Sequence, residues 1–252
     1  MTSADRLPTV MDVVRAGRST RPPRDVDTAD QLRAALRRHV PQGELTLRAR
    51  DLRSDTLSLS HSSLGLLRGT LVTQLLRLAS VGYVPQDPFT EAVEAFIAGD
   101  DRDEFVQILR DLDRDERDRL AADVASHAVV LRRRLGTIPP SWFPRTLVRG
   151  SVRVAGGHVV LKDTIDLVLG RRVGDTAAVA LIDVTTSPLD ASAERAGRFH
   201  ALVHTLRTGV APLCVATLST ATGDVVRLDV DGDTLTRAVH DVNATIHGAV
   251  AA

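Results

Sequence analysis

HVVLKDTIDLVLGRRVGDTAAVALIDVTT, residues 158–186, decides the fold. Residues 158–169 alternate in the period-2 manner of a strand with one buried face. The stretch 176–186 is nearly all apolar at its start, as a central strand buried on both faces is. The short connection at 170–175 makes a hairpin of the two. Asp166 and Asp183 then sit near the ends of neighbouring strands, each among Ile, Leu and Val. An unpaired carboxylate in such a setting is costly to bury, so the pair calls for a cation, a hydrogen-bond network or an exposed sheet edge. A hard ion such as Mg²⁺ takes one or two carboxylates together with waters and phosphate oxygens. Strand-end aspartates in turns or caps are the plainer reading of the same spacing.

Working outward, residues 145–154 form a further alternating strand, joined to 158–169 by a tight turn at Gly156-Gly157. Downstream come a helix at 190–208 closed by Gly209, a strand at 211–220, a short strand at 224–230 and a helix at 233–248. A helical crossover before the fourth strand implies a mixed sheet with helices on its faces. Upstream the period is helical. A weak helix at 8–17 leads into the loop RSTRPPRD; Asp27 or Thr28 caps a helix running to His39, and ELTLRARDL (44–52) alternates like a strand. Helices follow at 63–80, 88–99, 102–112 and 115–135. The last has an acidic first turn and ends in Arg132, Arg133 and Arg134, both suited to the helix dipole. Gly136 and Pro139-Pro140 stop it. The expected division is a mostly helical region over 1–140 and an α/β core over 141–252.

The chain has 252 residues, with 32 Lys plus Arg balanced by 32 Asp plus Glu. Zero net charge excludes a histone-like or tail-driven nucleic-acid binder but allows a local basic groove. At 3% aromatic residues, the composition argues against a base-stacking platform. A single cysteine, Cys214, excludes internal disulfides, Cys-rich zinc modules and cysteine-held iron–sulfur clusters. The start is not a signal peptide and no apolar run reaches the ~20 residues of a membrane span, so a cytoplasmic protein with no membrane partner is expected. Lys162 is the only lysine.

Residues 145–230 resemble the core of the PD-(D/E)XK nuclease superfamily, in its RecB-like branch. That pattern has a strand ending in G-x-I-D-x-V, a strand ending in (D/E)-x-K and a helix with Q-x-x-x-Y. Asp166 within DTIDLVLG matches the first acid and Asp183 within ALIDVTT the second. ERAGRFHALVHTLRTGVAPLCVATL (194–218) matches the helix, glycine and following strand in layout, and SLSHSSLGLLRGTLVTQLL (58–76) resembles the family's leading helix. The resemblance implies an α/β fold with a mixed sheet of restriction-endonuclease-like type. It further implies Mg²⁺ or Mn²⁺ held by Asp166, Asp183 and the Val184 carbonyl, a water attacking a phosphodiester, and nucleic acid, DNA above all, as partner.

The chain departs from the pattern at four positions. The motif lysine falls at Thr185, the leading-helix histidine at Thr73, and the Gln and Tyr at Arg195 and Phe199. A hydroxyl cannot supply the positive charge of the lysine, and losing one such group costs ~10²–10³ in rate. Either a cation has moved, with Lys162 (four residues before Asp166 and on its face by alternation) or Arg195 in the role, or the fold is kept and catalysis is lost. The second case gives a nuclease-fold subunit binding nucleic acid or a protein partner.

No acidic residue occurs between Asp123 and Asp163, an interval holding Arg132, Arg133, Arg134, Arg145, Arg149, Arg153 and Lys162. Such an excess suits a phosphate backbone, although three of these arginines also complement a helix C-terminus. His200 and His204 have a zinc-like spacing without a third ligand. Asp229, Asp231 and Asp233 lack the glycine and glutamate positions of a calcium loop, and Cys214 reads as core.

Overall fold

The computed structural model describes residues 8–16, 26–36, 44–52, 63–99, 103–173, 176–177 and 179–251. The loop RSTRPPRD, the expected helix end at His39 and the start of the leading segment at 58–62 lie outside them. Helices α1 (Val10–Ala16) and α2 (Val26–Ala35) come first. The second begins one or two residues before its expected caps. β1 (Leu45–Leu47) is much shorter than the alternation of 44–52 suggests: the chain turns into a 3₁₀ helix at Ala49–Leu52, packed on α7. Then follow α3 (Ser63–Ser80), α4 (Pro88–Gly99), α5 (Asp103–Asp111) and α6 (Arg114–Leu135). α6 starts with a full capping box: Glu116 N donates to Asp113 and Asp113 N to Glu116.

The rest is β2 (Arg145–Val154), β3 (Val159–Leu169), the small ribbon β4 (Arg172–Val173) and β5 (Thr176–Ala177), β6 (Ala180–Thr185), α7 (Ala191–Thr208), β7 (Cys214–Ser219), β8 (Val225–Asp229) and α8 (Gly232–Ala251). The fold is α/β with a mixed sheet: β1–β3 and β6–β7 are parallel, while β2–β3, β3–β6 and β7–β8 are antiparallel. Gly156 and Gly157, at φ 67° and 96°, make the β2–β3 turn that L side chains resist.

Two cores sandwich the sheet. On one face α2, α7 and α8 bury Leu161, Ile165, Val168, Leu181, Phe199 and Leu202. On the other, α1, α3, α4 and α6 bury Leu71, Phe96, Leu131, Leu167, Leu169 and Ile182. Among the described residues no helix is long and apolar enough to cross a membrane.

β2 covers one edge of β3 over nearly its whole length, so β1 and β6 share the other edge. β1 pairs it up to Leu161 and β6 from Leu167 on. Among the described residues, 162–166 therefore have no strand on that side.

Candidate functional site

The two acids sit where the β3–β6 pairing ends. The β3–β6 ladder pairs Leu169 with Ala180, Val168 with Leu181 and Leu167 with Ile182, and stops. One further step of this register brings Asp166 opposite Asp183, and opposite residues of an antiparallel pair point to the same side. Where the ladder lapses, the Asp166 carboxylate takes its place: Val184 N donates to Asp166 Oδ2 at 2.8 Å. The two carboxyl groups lie close enough to hydrogen-bond through a shared proton. Burial first, and the Asp183 charge second, push the Asp166 pKa up to about 8.

A kink makes this possible. Leu161, Asp163 and Ile165 face α7, but so does Val168, while Leu167 and Leu169 face the other core. The alternation slips by one residue at Asp166. On the partner strand the ladder skips Leu147, which sits at φ 51°. That region costs an L residue roughly 1–2 kcal/mol.

The same kink corrects the reading of Lys162. Strict alternation puts it on the Asp166 face. With the slip, Lys162 and Thr164 leave β3 on the side away from α7, opposite the acids. Lys162 is exposed there and lines an open cleft of about 580 Å³ with Arg48, Arg149, Ser151, Asp163 and Thr164. Four residues of strand span roughly 13 Å, which further separates Lys162 from Asp166.

The expected basic track is dispersed as well. Arg149 joins Lys162 in the cleft. Arg145 bonds the Gly170 carbonyl and lines a cavity of about 110 Å³ with His204 and Arg207. Arg153 meets Glu44 at 3.5 Å. Arg132, Arg133 and Arg134 line a separate cavity at the end of α6. Arg48 has no place in the sequence reading because β1 was read as a longer strand running past it.

Thr185, two residues after Asp183, accepts from Ser187 N through Oγ1 at 3.2 Å. Its carbonyl accepts from both Thr220 N and Thr220 Oγ1, and Thr220 Oγ1 meets His127 Nδ1 at 2.9 Å. A polar chain thus ties α6 to the end of β6. Arg195 is half-buried near the start of α7, one turn before the fully buried Phe199. Thr73 bonds back to the Gly69 carbonyl on α3, which packs on the opposite face of the sheet.

Sequence reasoning missed Asp163 and gave His200 no partner. Asp163 Oδ1 accepts from His200 Nδ1 at 2.8 Å, and His200 Nε2 lies 3.8 Å from Asp183 Oδ1. All three side chains are buried. A buried carboxylate–imidazole–carboxylate row thus runs beside the acid pair. Asp163 falls on the apolar phase of β3, between Leu161 and Ile165, and that phase is the signal that marks it. His200 and His204 share no zinc site: the first belongs to the two aspartates, and the second lies against Arg145 and Arg207. Asp231 Oδ1 accepts from Thr234 N in the turn that opens α8. Cys214 is fully buried, and burial pushes its thiol up to about 11.

Two carboxylates make an incomplete cage, and among the described residues no cluster of three or more His, Cys, Asp or Glu side chains is arranged to hold a metal ion. The donor chemistry nevertheless fits Mg²⁺, which keeps several waters and needs only one or two carboxylates. A half-buried Asp166 with its pKa raised beside the buried Asp183 forms a site that a cation relieves.

No family model and no curated protein matches the chain. Among solved structures it is similar to that of SSO0001, at 11% identity and a TM-score of 0.31, over 88% of this chain and 84% of that one. So low a score carries no argument about function.

Proposed function

We propose that this chain is a PD-(D/E)XK-type, RecB-like nuclease relative with a restriction-endonuclease-like core, working on DNA in the cytoplasm with Mg²⁺ or Mn²⁺. The observation that carries the reading is the convergence of Asp166 and Asp183 where β3 and β6 part. Asp166 and Asp183 would hold the ion. When bound, it would supply charge to offset a phosphoryl group in reaction and to ready a water. The Val184 amide fixes Asp166, and Asp163 fixes His200 beside Asp183. Arg195, one turn before Phe199 on α7, would take the role of the motif lysine. Lys162, on the far face, joins Arg48 and Arg149 as a contact for the nucleic-acid backbone.

A second reading has its own observation. Thr185 Oγ1 is engaged by the Ser187 amide, so the lysine position is occupied by a group with a local structural role. This favours a nuclease-fold subunit that binds nucleic acid or a protein partner without cutting. The test is incubation with single- and double-stranded DNA and Mg²⁺ or Mn²⁺, alongside Asp166→Ala, Asp183→Ala, Arg195→Ala and Lys162→Ala. Cleavage lost in the first three and kept in the last is the expected result. Salt-sensitive binding without cleavage assigns the second reading. No binding and no metal effect on melting temperature sinks both.

A further inference from the structure

Three basic side chains converge between α7 and the sheet. His204 follows His200 by one turn, and His200 reaches Asp163 on β3, so both rings face the sheet. Arg145 stands opposite Val168 in the β2–β3 ladder, and Val168 packs in the α7 core. Opposite residues of an antiparallel pair point to the same side, so Arg145 faces α7 as well. Arg207 crosses from α7 to β2, where its Nη1 donates to the Arg149 carbonyl at 2.9 Å. A Cβ on Gly150 would stand 3.3 Å from its Cζ and 3.4 Å from its Cδ, so the missing side chain lets the guanidinium lie on the strand. All three residues line one cavity of about 110 Å³.

Its other walls include Val148, Val168, Val179 and Val210, and no acidic residue lines it. The Thr208 hydroxyl is taken up by backbone groups of His204 and Val210. Among the described residues neither guanidinium pairs with a carboxylate, and the His204 ring makes no hydrogen bond although the residue is only 8% exposed. The charged groups that act on His204 are Arg207 on its own helix, Arg145 from β2 and, more weakly, Asp163 from β3, which is already engaged by His200. Burial and the two arginines keep the ring neutral at pH 7. An anion in the cavity would offset both guanidinium charges and favour the imidazolium. The volume holds roughly three or four waters at ~30 Å³ each, which suits one tetrahedral oxyanion and is too small for a nucleoside. Guanidinium forks match phosphate oxygens, and the apolar walls strengthen the attraction.

We propose that this cavity is a binding site for a phosphoryl anion, gripped between Arg145 and Arg207 with His204 as the third donor. The site does not rest on the metal reading of Asp166 and Asp183.

The test is calorimetric titration of the full chain, in EDTA at constant ionic strength, with inorganic phosphate, methyl phosphate, sulfate and chloride. Phosphate should bind at least tenfold tighter than chloride. Methyl phosphate binding as well as phosphate assigns the cavity to an esterified phosphoryl group, and loss of binding on methylation assigns it to the free anion. Arg145→Gln and Arg207→Gln change exposed side chains and should fold as the wild type does, each weakening phosphate roughly tenfold. Sulfate, which does not titrate near neutrality, should bind roughly tenfold tighter at pH 5.5 than at 7.5, because the occupied cavity draws a proton onto His204. His204→Leu should abolish that pH dependence. Chloride equal to phosphate, undiminished affinity in both arginine variants, or sulfate binding with the same pH dependence in the wild type and His204→Leu would each overturn the proposal.

Discussion

The amide of Val184 donates to Asp166 Oδ2 at 2.8 Å across the gap where β3 and β6 stop pairing. This bond favours the charged carboxylate, but burial and Asp183 outweigh it and raise the pKa to about 8. The folded protein therefore keeps a proton that the unfolded chain has released. Its stabilising effect is complete below the unfolded pKa near 3.8 and is lost as pH rises through the folded value. Between pH 6.5 and 8.5 in EDTA, the melting temperature should fall in the wild type and stay flatter in Asp166→Asn. Equal slopes in the two proteins would refute the assignment.

His204 gives the opposite limb. Burial, then Arg207 and Arg145, hold it near 4 rather than 6.5. The unfolded chain takes up this proton first, so the stability is present above the unfolded pKa and is lost as pH falls from 6.5 towards 4. His204→Leu should reduce the loss between pH 7 and 4.5 by roughly 2–3 kcal/mol, read from urea unfolding at the two pH values. An acid limb of unchanged size would show that His204 does not titrate this way.

Asp163 and His200 predict a difference between two substitutions. Asp163→Ala leaves the buried His200 Nδ1 without its acceptor and should cost about 1–3 kcal/mol. Asp163→Asn keeps an acceptor oxygen and should lose clearly less. Denaturant midpoints at constant slope decide between them, and equal losses would show that the charge, rather than the hydrogen bond, holds the imidazole.

The hairpins and α7 were legible because their signals are local: two-residue alternation, Gly156-Gly157 at positive φ, and Gly209 closing the helix. The slip at Asp166 was not. A strand that changes phase keeps the composition of one that does not, and nothing in the type of Leu147 announces φ 51°. Counting from Asp166 therefore put Lys162 on the wrong face. The acid pair itself was legible, since both aspartates interrupt apolar runs. The link from Asp163 to His200 crosses 37 positions and depends on how α7 lies on the sheet. Arg132, Arg133 and Arg134 read alike in sequence, and only the position of the β7–β8 turn buries the third.

Thr185 offers the sharpest test of whether a missing cation limits the site. It follows Asp183 by two residues and so leaves β6 on the same side. It is half-buried, and its hydroxyl accepts one hydrogen bond, from Ser187 N. Thr185→Lys gives up that bond, at about 1 kcal/mol, and sets an ammonium beside the two carboxylates. If Asp166 and Asp183 hold Mg²⁺ for phosphodiester cleavage, the substitution should raise Mg²⁺-dependent DNA cleavage by ~10²–10³. The gain should vanish when Asp166→Ala is added. The ammonium should also flatten the pH 6.5–8.5 melting slope, because an opposite charge lowers the Asp166 pKa. A flattened slope with no gain in cleavage would place the charge correctly and still deny the chemistry, leaving the non-catalytic reading in possession of the fold.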